Sequence, residues 1–160
     1  MSVSKTVYNR GIVYEKYNVG DEFVSASRTL TESDIWQFAS WSGDFHPLHT
    51  DEEFCKKGPF GGRIAHGLLV ASIGTGLANQ TLMFEGTSMA LLNFTAKYLR
   101  VAKPGDTLRT IVKVTDMKDS KKYKDRGIVT FDWTVYNQRD EGICEAQWKL
   151  MIKRGEELKD

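Results

Sequence analysis

The second half of the chain alternates between mostly apolar and mostly polar residues, with a period of two, in four separate segments. The alternating, mostly apolar positions are Ala90, Leu92, Phe94, Ala96 and Tyr98; Leu108, Thr110, Val112 and Val114; Val129, Phe131, Trp133 and Val135; and Cys144, Ala146, Trp148, Leu150 and Ile152. A period of two is typical of β-strands that bury one face. Because short loops join the segments, the pattern predicts an antiparallel meander with one buried face.

Helical spacing replaces this alternation in the first half of the chain. After a predicted strand over 22–29, Thr31 and Asp34 have the spacing of a capping box, in which a hydroxyl and a carboxylate cap the start of a helix. Apolar residues then recur at helical spacing, which predicts a helix that runs to about Ser42. A second, short helix is predicted over 51–57.

The longest uncharged stretch covers residues 67–84 and is interrupted by glycines and amides. It falls short of the ~20 predominantly apolar residues that a membrane span needs. A helix that is apolar nearly all round, but too short for a bilayer, is typically buried in protein. We therefore predict a buried helix from about His66 to Leu82. Since a curved antiparallel sheet offers a concave apolar face, the sequence predicts an α+β fold with the sheet wrapped around this central helix.

The bulk composition fits one globular domain. Of the 160 residues, 41% are hydrophobic and 27% charged, and we divide the chain into an irregular lead-in over 1–20, one domain over 21–155 and a polar tail over 156–160. The net charge of +1 does not favour nucleic-acid binding, and the basic cluster over 118–126 is predicted to be a solvated hairpin loop. Because neither a leader-like segment nor a membrane span is evident, we expect a cytoplasmic protein that binds neither nucleic acid nor membrane.

The two cysteines, Cys55 and Cys144, have neither the pattern of a disulfide framework nor metal-ligand spacing. Cys144 lies in a strand pattern and is predicted to be a small core residue, whereas Cys55 belongs to the short second helix. We expect both thiols to be dispensable for function.

Most candidates for chemistry lie in one segment that contains Asp44, His46, His49 and Asp51. A carboxylate and an imidazole can both be tuned to exchange protons near neutral pH, and a turn at Pro47 would bring Asp44 and His49 to one water. Such a pair suits the hydration of an α,β-unsaturated thioester, which needs one group to take a proton from water and one to deliver a proton to the α-carbon. The alternative is that Asp44 caps local backbone and His49 is an ordinary surface histidine.

A second segment, residues 64–69, leads into the predicted buried helix. The free N–H groups and the dipole at a helix N-terminus would favour the oxygen of a thioester as negative charge develops on it. Gly67 has no Cβ, so a thioester could approach its backbone closely. The alternative is that Gly67 is needed for packing and that His66 is a hydrogen-bonded residue at the start of the helix.

Taken together, the two segments resemble a known family. Residues 42–49 (Ser-Gly-Asp-Phe-His-Pro-Leu-His) and 64–69 (Ile-Ala-His-Gly-Leu-Leu) are similar to the signature of the MaoC-like (R)-specific enoyl-CoA hydratases. The resemblance extends over about residues 31–152 and implies the hot-dog fold, in which a curved antiparallel sheet encloses a long helix.

The resemblance also implies a reaction and roles for individual residues. Asp44 and His49 match the catalytic pair that positions and deprotonates water, and Gly67 matches the backbone donor to the thioester carbonyl. Thr75 occupies a position where members carry a supporting serine, and His46 stands where they commonly have asparagine. The substrate implied is a trans-2-enoyl-CoA or 3-hydroxyacyl-CoA thioester, with no cofactor and no metal.

Other interpretations remain open at this point. Asp44, His46, His49 and Asp51 could hold a metal ion, since Asp and His are common ligands. The same fold could serve an acyl-CoA thioesterase or a non-catalytic acyl-CoA-binding module, because fold does not determine function.

The partners expected are an acyl-CoA and a second copy of the chain. Lys56, Lys57 and Arg63 are candidates for contacts with CoA phosphates, or else ordinary loop charges. A single sheet leaves edge strands open, and hot-dog proteins resemble one another in pairing sheets, so we expect a homodimer or a dimer of dimers. Three aromatic residues are expected at that interface or in an acyl pocket: Trp36, Trp41 and Phe45.

Overall fold

The computed structural model describes residues 10–155; residues 1–9 of the predicted lead-in and the predicted tail lie outside this range. The elements, in chain order, are β1 (Glu22–Val24), β2 (Arg28–Thr29), α1 (Glu32–Ser42), α2 (Pro47–Thr50), α3 (Glu52–Lys56), α4 (Gly67–Gln80), β3 (Ser88–Tyr98), β4 (Thr107–Asp119), β5 (Arg126–Tyr136) and β6 (Gly142–Lys153). A short 3-10 turn over Tyr14–Lys16 precedes them. Tyr14 and Tyr17 belong to the hydrophobic core, so the predicted lead-in contributes packing to the domain.

All strand pairs are antiparallel, and the strand order is β1-β4-β5-β6-β3, with β2 also paired to β4. The predicted meander is confirmed for β4, β5 and β6, which form consecutive hairpins. The expectation that β3 continues that meander is wrong, because β3 pairs with β6 and occupies an edge of the sheet. Of the hairpin loop predicted over 118–126, residues 120–125 form the mostly exposed connection between β4 and β5, and the flanking residues belong to the two strands.

The predicted strand over 22–29 is divided into β1 and β2. The backbone N–H of Ser25 donates to the carbonyl of Thr110 at 2.9 Å, but the Thr110 N–H donates to the Ser25 hydroxyl, also at 2.9 Å. The serine side chain thus takes the place of a backbone acceptor. Because a side chain accepts this hydrogen bond, the regular backbone ladder with β4 is interrupted between β1 and β2.

The predicted buried faces of β4, β5 and β6 are confirmed, whereas that of β3 is not. The alternating residues of β4, β5 and β6, from Leu108 to Ile152, point into the core. All eleven residues of β3, by contrast, are exposed in the single chain. Helix α4 covers the inner face of β4, β5 and β6 and leaves β3 largely uncovered. Two register irregularities in its pairing with β6 also interrupt the alternation.

Helix α4 packs against the inner face of the sheet and buries seven of its residues: Leu69, Val70, Ala71, Ile73, Gly74, Leu77 and Ala78. Gly74 permits the closest approach, because a Cβ at this position would lie 2.5 Å from Val135 Cγ2 and 2.7 Å from Trp133 Cζ3. The sheet does not enclose the helix completely, since Leu68, Ser72 and neighbouring polar residues remain exposed. None of the described helices has both the length and the apolar character required to cross a bilayer.

Candidate active site

Helix α1 and helix α2 hold the segment from Gly43 to His49. Thr31 and Asp34 form the predicted capping box at the start of α1, and Gly43 ends the helix with a φ of 79°, in the left-handed region that favours glycine. Helix α2, which the sequence does not predict, begins at Pro47. The His46 side chain caps it by accepting from the Leu48 N–H through Nδ1 at 3.2 Å.

Three polar side chains meet where this segment reaches the start of α4. Asp44, His49 and His66 each offer an atom within 4.8 Å of the atoms that the other two offer. The Asp44 side chain is exposed, His49 is half-buried, and His66 is only 2% exposed. The two residues that the sequence singles out as a pair are therefore adjacent, and His66 joins them.

The imidazole of His49 has a defined orientation. Its Nδ1 lies 2.8 Å from the carbonyl oxygen of Ile64; because a carbonyl only accepts, Nδ1 carries the hydrogen. Nε2 is then the unprotonated nitrogen of the neutral ring, and it has no hydrogen-bond partner among residues 10–155. Burial, with a smaller contribution from His66, lowers the pKa of His49 below its usual value, although the Ile64 carbonyl and Asp44 act in the opposite direction. This arrangement favours a neutral imidazole with a free acceptor nitrogen.

Asp44 is held by its own local hydrogen bonds. Its Oδ1 accepts from the His46 backbone N–H at 3.2 Å, and its backbone N–H donates to the Ser42 hydroxyl at 3.2 Å. The capping function considered from the sequence is therefore present. It occupies one carboxylate oxygen, and the side chain remains open to solvent beside His49.

Gly67 is the first residue of α4, and the helix start has free donors. The His66 side chain supplies no cap, and the first backbone bond of the helix runs from the Val70 N–H to the His66 carbonyl at 3.1 Å. The N–H groups of the first turn are therefore available to a ligand. Packing favours glycine at position 67, because a Cβ here would lie 3.0 Å from two ring atoms of Tyr98. Partial burial of the Tyr98 side chain raises its pKa.

A cavity of about 280 Å³ opens along the exposed side of α4. Its walls are largely apolar and include Leu68, Phe94 and Trp148, and Thr75 contributes a hydroxyl. Neither Asp44 nor His49 lines it, but Leu68 follows Gly67 directly, so the cavity begins beside the helix start. Thr75 lies eight residues beyond Gly67, about 12 Å along the helix axis at 1.5 Å per residue. The structure therefore places Thr75 in the cavity wall and not beside Asp44.

The geometry does not favour a metal site. The rings of His49 and His66 are stacked, with centroids 3.7 Å apart and planes 26° apart, so their in-plane lone pairs run side by side instead of converging on one point. One nitrogen of each ring already faces a carbonyl oxygen. The metal-ligand set considered from the sequence is not assembled, because Asp51 caps α3 and His46 caps α2.

The candidate phosphate-binding cations are mostly engaged in ion pairs. Arg63 contacts Glu32 at 2.8 Å and Glu52 at 3.1 Å, and Lys56 contacts Glu53 at 2.8 Å. Through its two ion pairs, Arg63 links the loop before α4 to α1 and α3, which is a structural role.

Sequence reasoning missed two residues of this site, His66 and Tyr98. Both residues lie within the family resemblance, but the sequence assigns His66 no role beyond a hydrogen bond at the helix start and Tyr98 none beyond a strand face. The available signal was their position: a histidine directly before an almost uncharged helix, and a tyrosine that ends an apolar strand. Neither position by itself shows that the side chain approaches Asp44 or Gly67.

Comparison with known proteins gives a consistent result. The family model described as MaoC like domain matches residues 16–135. The chain is 33% identical to the (R)-specific enoyl-CoA hydratase of Rhodospirillum rubrum, over 80% of this chain and 83% of that protein. It is 31% identical to the uncharacterized protein YdeM of Bacillus subtilis, over 88% and 98% of the two chains.

Solved structures agree with the fold. A MaoC-like dehydratase from Rhodospirillum rubrum superimposes with a TM-score of 0.81 at 30% identity, covering 91% of this chain and 99% of the other. A Mycobacterium tuberculosis protein described as having a double hotdog fold matches with a TM-score of 0.80 at 20% identity, covering 94% of this chain and 46% of that one. The predicted α+β hot-dog architecture is therefore confirmed.

Proposed function

Because the chain belongs to the family of MaoC-like domains, whose named relatives include hydratases and dehydratases of acyl thioesters, we propose that it is an (R)-specific enoyl-CoA hydratase. It would add water to the double bond of a trans-2-enoyl-CoA, or catalyse the reverse dehydration of a 3-hydroxyacyl-CoA. The reaction needs no cofactor, since water and the thioester are the only reactants.

The observation that carries the proposal is that the exposed carboxylate of Asp44 lies beside the imidazole of His49, whose Nε2 has no hydrogen-bond partner among residues 10–155. Two polar atoms within 4.8 Å of each other can both bond to one water, since each hydrogen bond spans about 2.8 Å. The hydrogen bond to Ile64 holds Nδ1 protonated and leaves Nε2 as the base. A lowered pKa keeps His49 neutral, and therefore able to accept a proton, at neutral pH.

The proposed steps follow from these positions. Asp44 accepts a hydrogen bond from one O–H of the water and so orients it, while His49 Nε2 takes the proton of the second O–H as the oxygen attacks the β-carbon. The first O–H remains on the new hydroxyl group. The electron pair of the double bond moves towards the thioester oxygen. The protonated His49 then returns its proton to the α-carbon, so that the net change is the addition of one water.

The start of α4 is suited to the charge that develops in the first step. The N–H of Gly67 has no partner among residues 10–155 and would donate to the thioester oxygen as it becomes negative. The apolar cavity beside Leu68 would take the acyl chain. Its hydrophobic walls, including Phe94 and Trp148, are the kind of surface that an alkyl group favours.

The test is a panel of enoyl-CoA esters assayed with purified protein. Hydration is measured by the loss of the absorbance of the conjugated thioester, and a thiol reagent measures thioester cleavage in parallel. We expect hydration without thiol release. Thiol release from saturated acyl-CoA would instead support a thioesterase, and tight binding without either reaction would support a non-catalytic module.

We also propose that the protein is a homodimer, or a dimer of dimers, formed through the β3 edge. Within residues 10–155, β3 pairs only with β6, and it exposes Met89, Leu91 and Leu92. A second copy would cover this apolar edge. Trp41, which is 84% exposed in the single chain, is a further candidate for contact with a second copy. Light scattering at micromolar concentration should give at least two chains per particle, and one chain per particle would contradict the proposal.

A further inference from the structure

We propose that His66 is a positioning residue that holds Asp44 and His49 in their mutual orientation through a single buried imidazole. The inference rests on the proposed function, in which those two residues act on one water. His66 itself need not contact the substrate, since its imidazole acts on the pair directly, by donating to the Asp44 carbonyl and by stacking on the His49 ring.

The first interaction holds the backbone of Asp44. The His66 Nε2 lies 2.9 Å from the Asp44 carbonyl oxygen, so Nε2 carries a hydrogen and donates it. This bond ties the loop after α1 to the start of α4, 22 residues along the chain. It determines how far the Asp44 backbone can move away from the helix start.

The second interaction holds the ring of His49. The two imidazoles are stacked at 3.7 Å between centroids, and the Ile64 carbonyl binds His49 Nδ1 at 2.8 Å. The ring is therefore fixed in two directions, in its plane by Ile64 and across its face by His66. The Ile64 N–H also donates to the Leu48 carbonyl at 3.1 Å, so the short segment before α4 supports α2 directly.

The surroundings of His66 indicate that an imidazole is needed at this position because its N–H donates a hydrogen bond to Asp44. The ring is 2% exposed and packs against Phe38 at 4.9 Å, yet its Nδ1 is buried and has no hydrogen-bond partner within residues 10–155. An unpaired buried nitrogen costs free energy. A phenyl ring would fill the same space without that cost, but it could not donate to Asp44.

Two variants separate the two interactions. His66→Phe keeps an aromatic ring against His49 and removes the donor to Asp44, whereas His66→Gln offers an N–H donor and removes the ring. Tyr17→Phe is the matched control, because the buried Tyr17 hydroxyl donates to the Met83 carbonyl at 3.1 Å, away from the candidate site. All three variants are first compared with wild type in thermal unfolding.

We expect His66→Phe and Tyr17→Phe to lower the Tm by similar amounts but to differ in turnover. A displacement of about 1 Å can cost about 10²-fold in rate, so both His66 variants should lose about 10²-fold in kcat, with KM changed only a few-fold. The control should keep wild-type kcat. If the kcat of His66→Phe follows that of Tyr17→Phe, the role of His66 is only structural and the proposal is overturned.

NMR provides a second readout that does not depend on turnover. His66→Gln removes the ring that stacks on His49, so one face of the His49 imidazole becomes exposed and its pKa should rise towards the ordinary value. His66→Phe keeps a ring on that face and should leave the pKa of His49 low, but it should shift the resonances of the Asp44–Phe45 peptide group. Unchanged His49 titration and unchanged Asp44 signals in both variants would overturn the inference. Wild-type protein that hydrates no enoyl-CoA would instead contradict the proposed function, while the NMR comparison would still test the positioning of the pair.

Discussion

Removal of one functional group at a time from Asp44 and His49 tests whether the two residues act as one unit on one water. Asp44→Asn keeps an acceptor oxygen for the His46 N–H, which now lies 3.2 Å from Oδ1, and removes only the charge. His49→Asn places an amide nitrogen near the present position of Nδ1, where it can still donate to the Ile64 carbonyl, and removes Nε2. Since each change preserves its local hydrogen bond, we expect the unfolding free energy to fall by no more than about 1.5 kcal/mol.

The expected effect on turnover is much larger. A positioned acid–base group contributes ~10²–10⁴-fold in rate, equivalent to about 2.7–5.4 kcal/mol of barrier at 1.36 kcal/mol per tenfold. Asp44→Asn and His49→Asn should each lose at least ~10²-fold in kcat. If the residues acted independently, the double variant would lose at least ~10⁴-fold. Because they share one water, we expect the double variant to be little worse than the poorer single variant.

The assay follows the disappearance of the conjugated enoyl thioester absorbance, with kcat and KM determined separately. Thioester binding should be largely retained, because neither variant changes the cavity beside α4. Near wild-type hydration by a correctly folded single variant would refute the assignment of the pair. Multiplicative losses in the double variant would refute the shared water while leaving both residues important.

Further predictions concern pH, the neighbouring residues and the fold. Burial lowers the pKa of His49 below 6.5, so the unfolded chain binds more protons at this residue than the folded chain does. The contribution of His49 to stability should therefore be complete above about pH 6.5 and decline as pH falls through the unfolded and then the folded pKa. The value of kcat/KM should likewise stay level from pH 7 to 6.5 and fall only at lower pH, and an acid limb centred above pH 7 would contradict the lowered pKa of His49. His46→Asn should keep substantial activity, measured in the same assay with several acyl chains, because asparagine can also cap α2. Thr75→Val should change the KM for longer acyl chains and leave the kcat for a short enoyl-CoA within a few-fold, whereas a large loss of that kcat would place Thr75 at the reacting atoms. Gly74→Ala should cost about 1–3 kcal/mol in denaturant unfolding, because its Cβ would overlap the sheet, while the exposed Gly76→Ala, with nothing within 4 Å, should gain up to about 1 kcal/mol.

The architecture was largely predictable because its signals are local. Strand alternation in β4, β5 and β6 and the capping box of Thr31 and Asp34 depend on spacings of two to four residues, which the backbone geometry of strands and helices imposes. The proximity of Asp44 and His49 was predictable for a similar reason, since a short turn at Pro47 can bring them together.

Features that depend on contacts between distant segments required the tertiary structure. The pairing of β3 with β6, the stacking of His66 on His49 and the contact of Tyr98 with Gly67 each join residues that are at least 17 positions apart. A sequence pattern shows which face of an element is apolar, but not which element will cover it. The exposed β3 and the open side of α4 show the difference: both patterns predict burial, and only the packing of the chain determines which apolar surfaces remain uncovered.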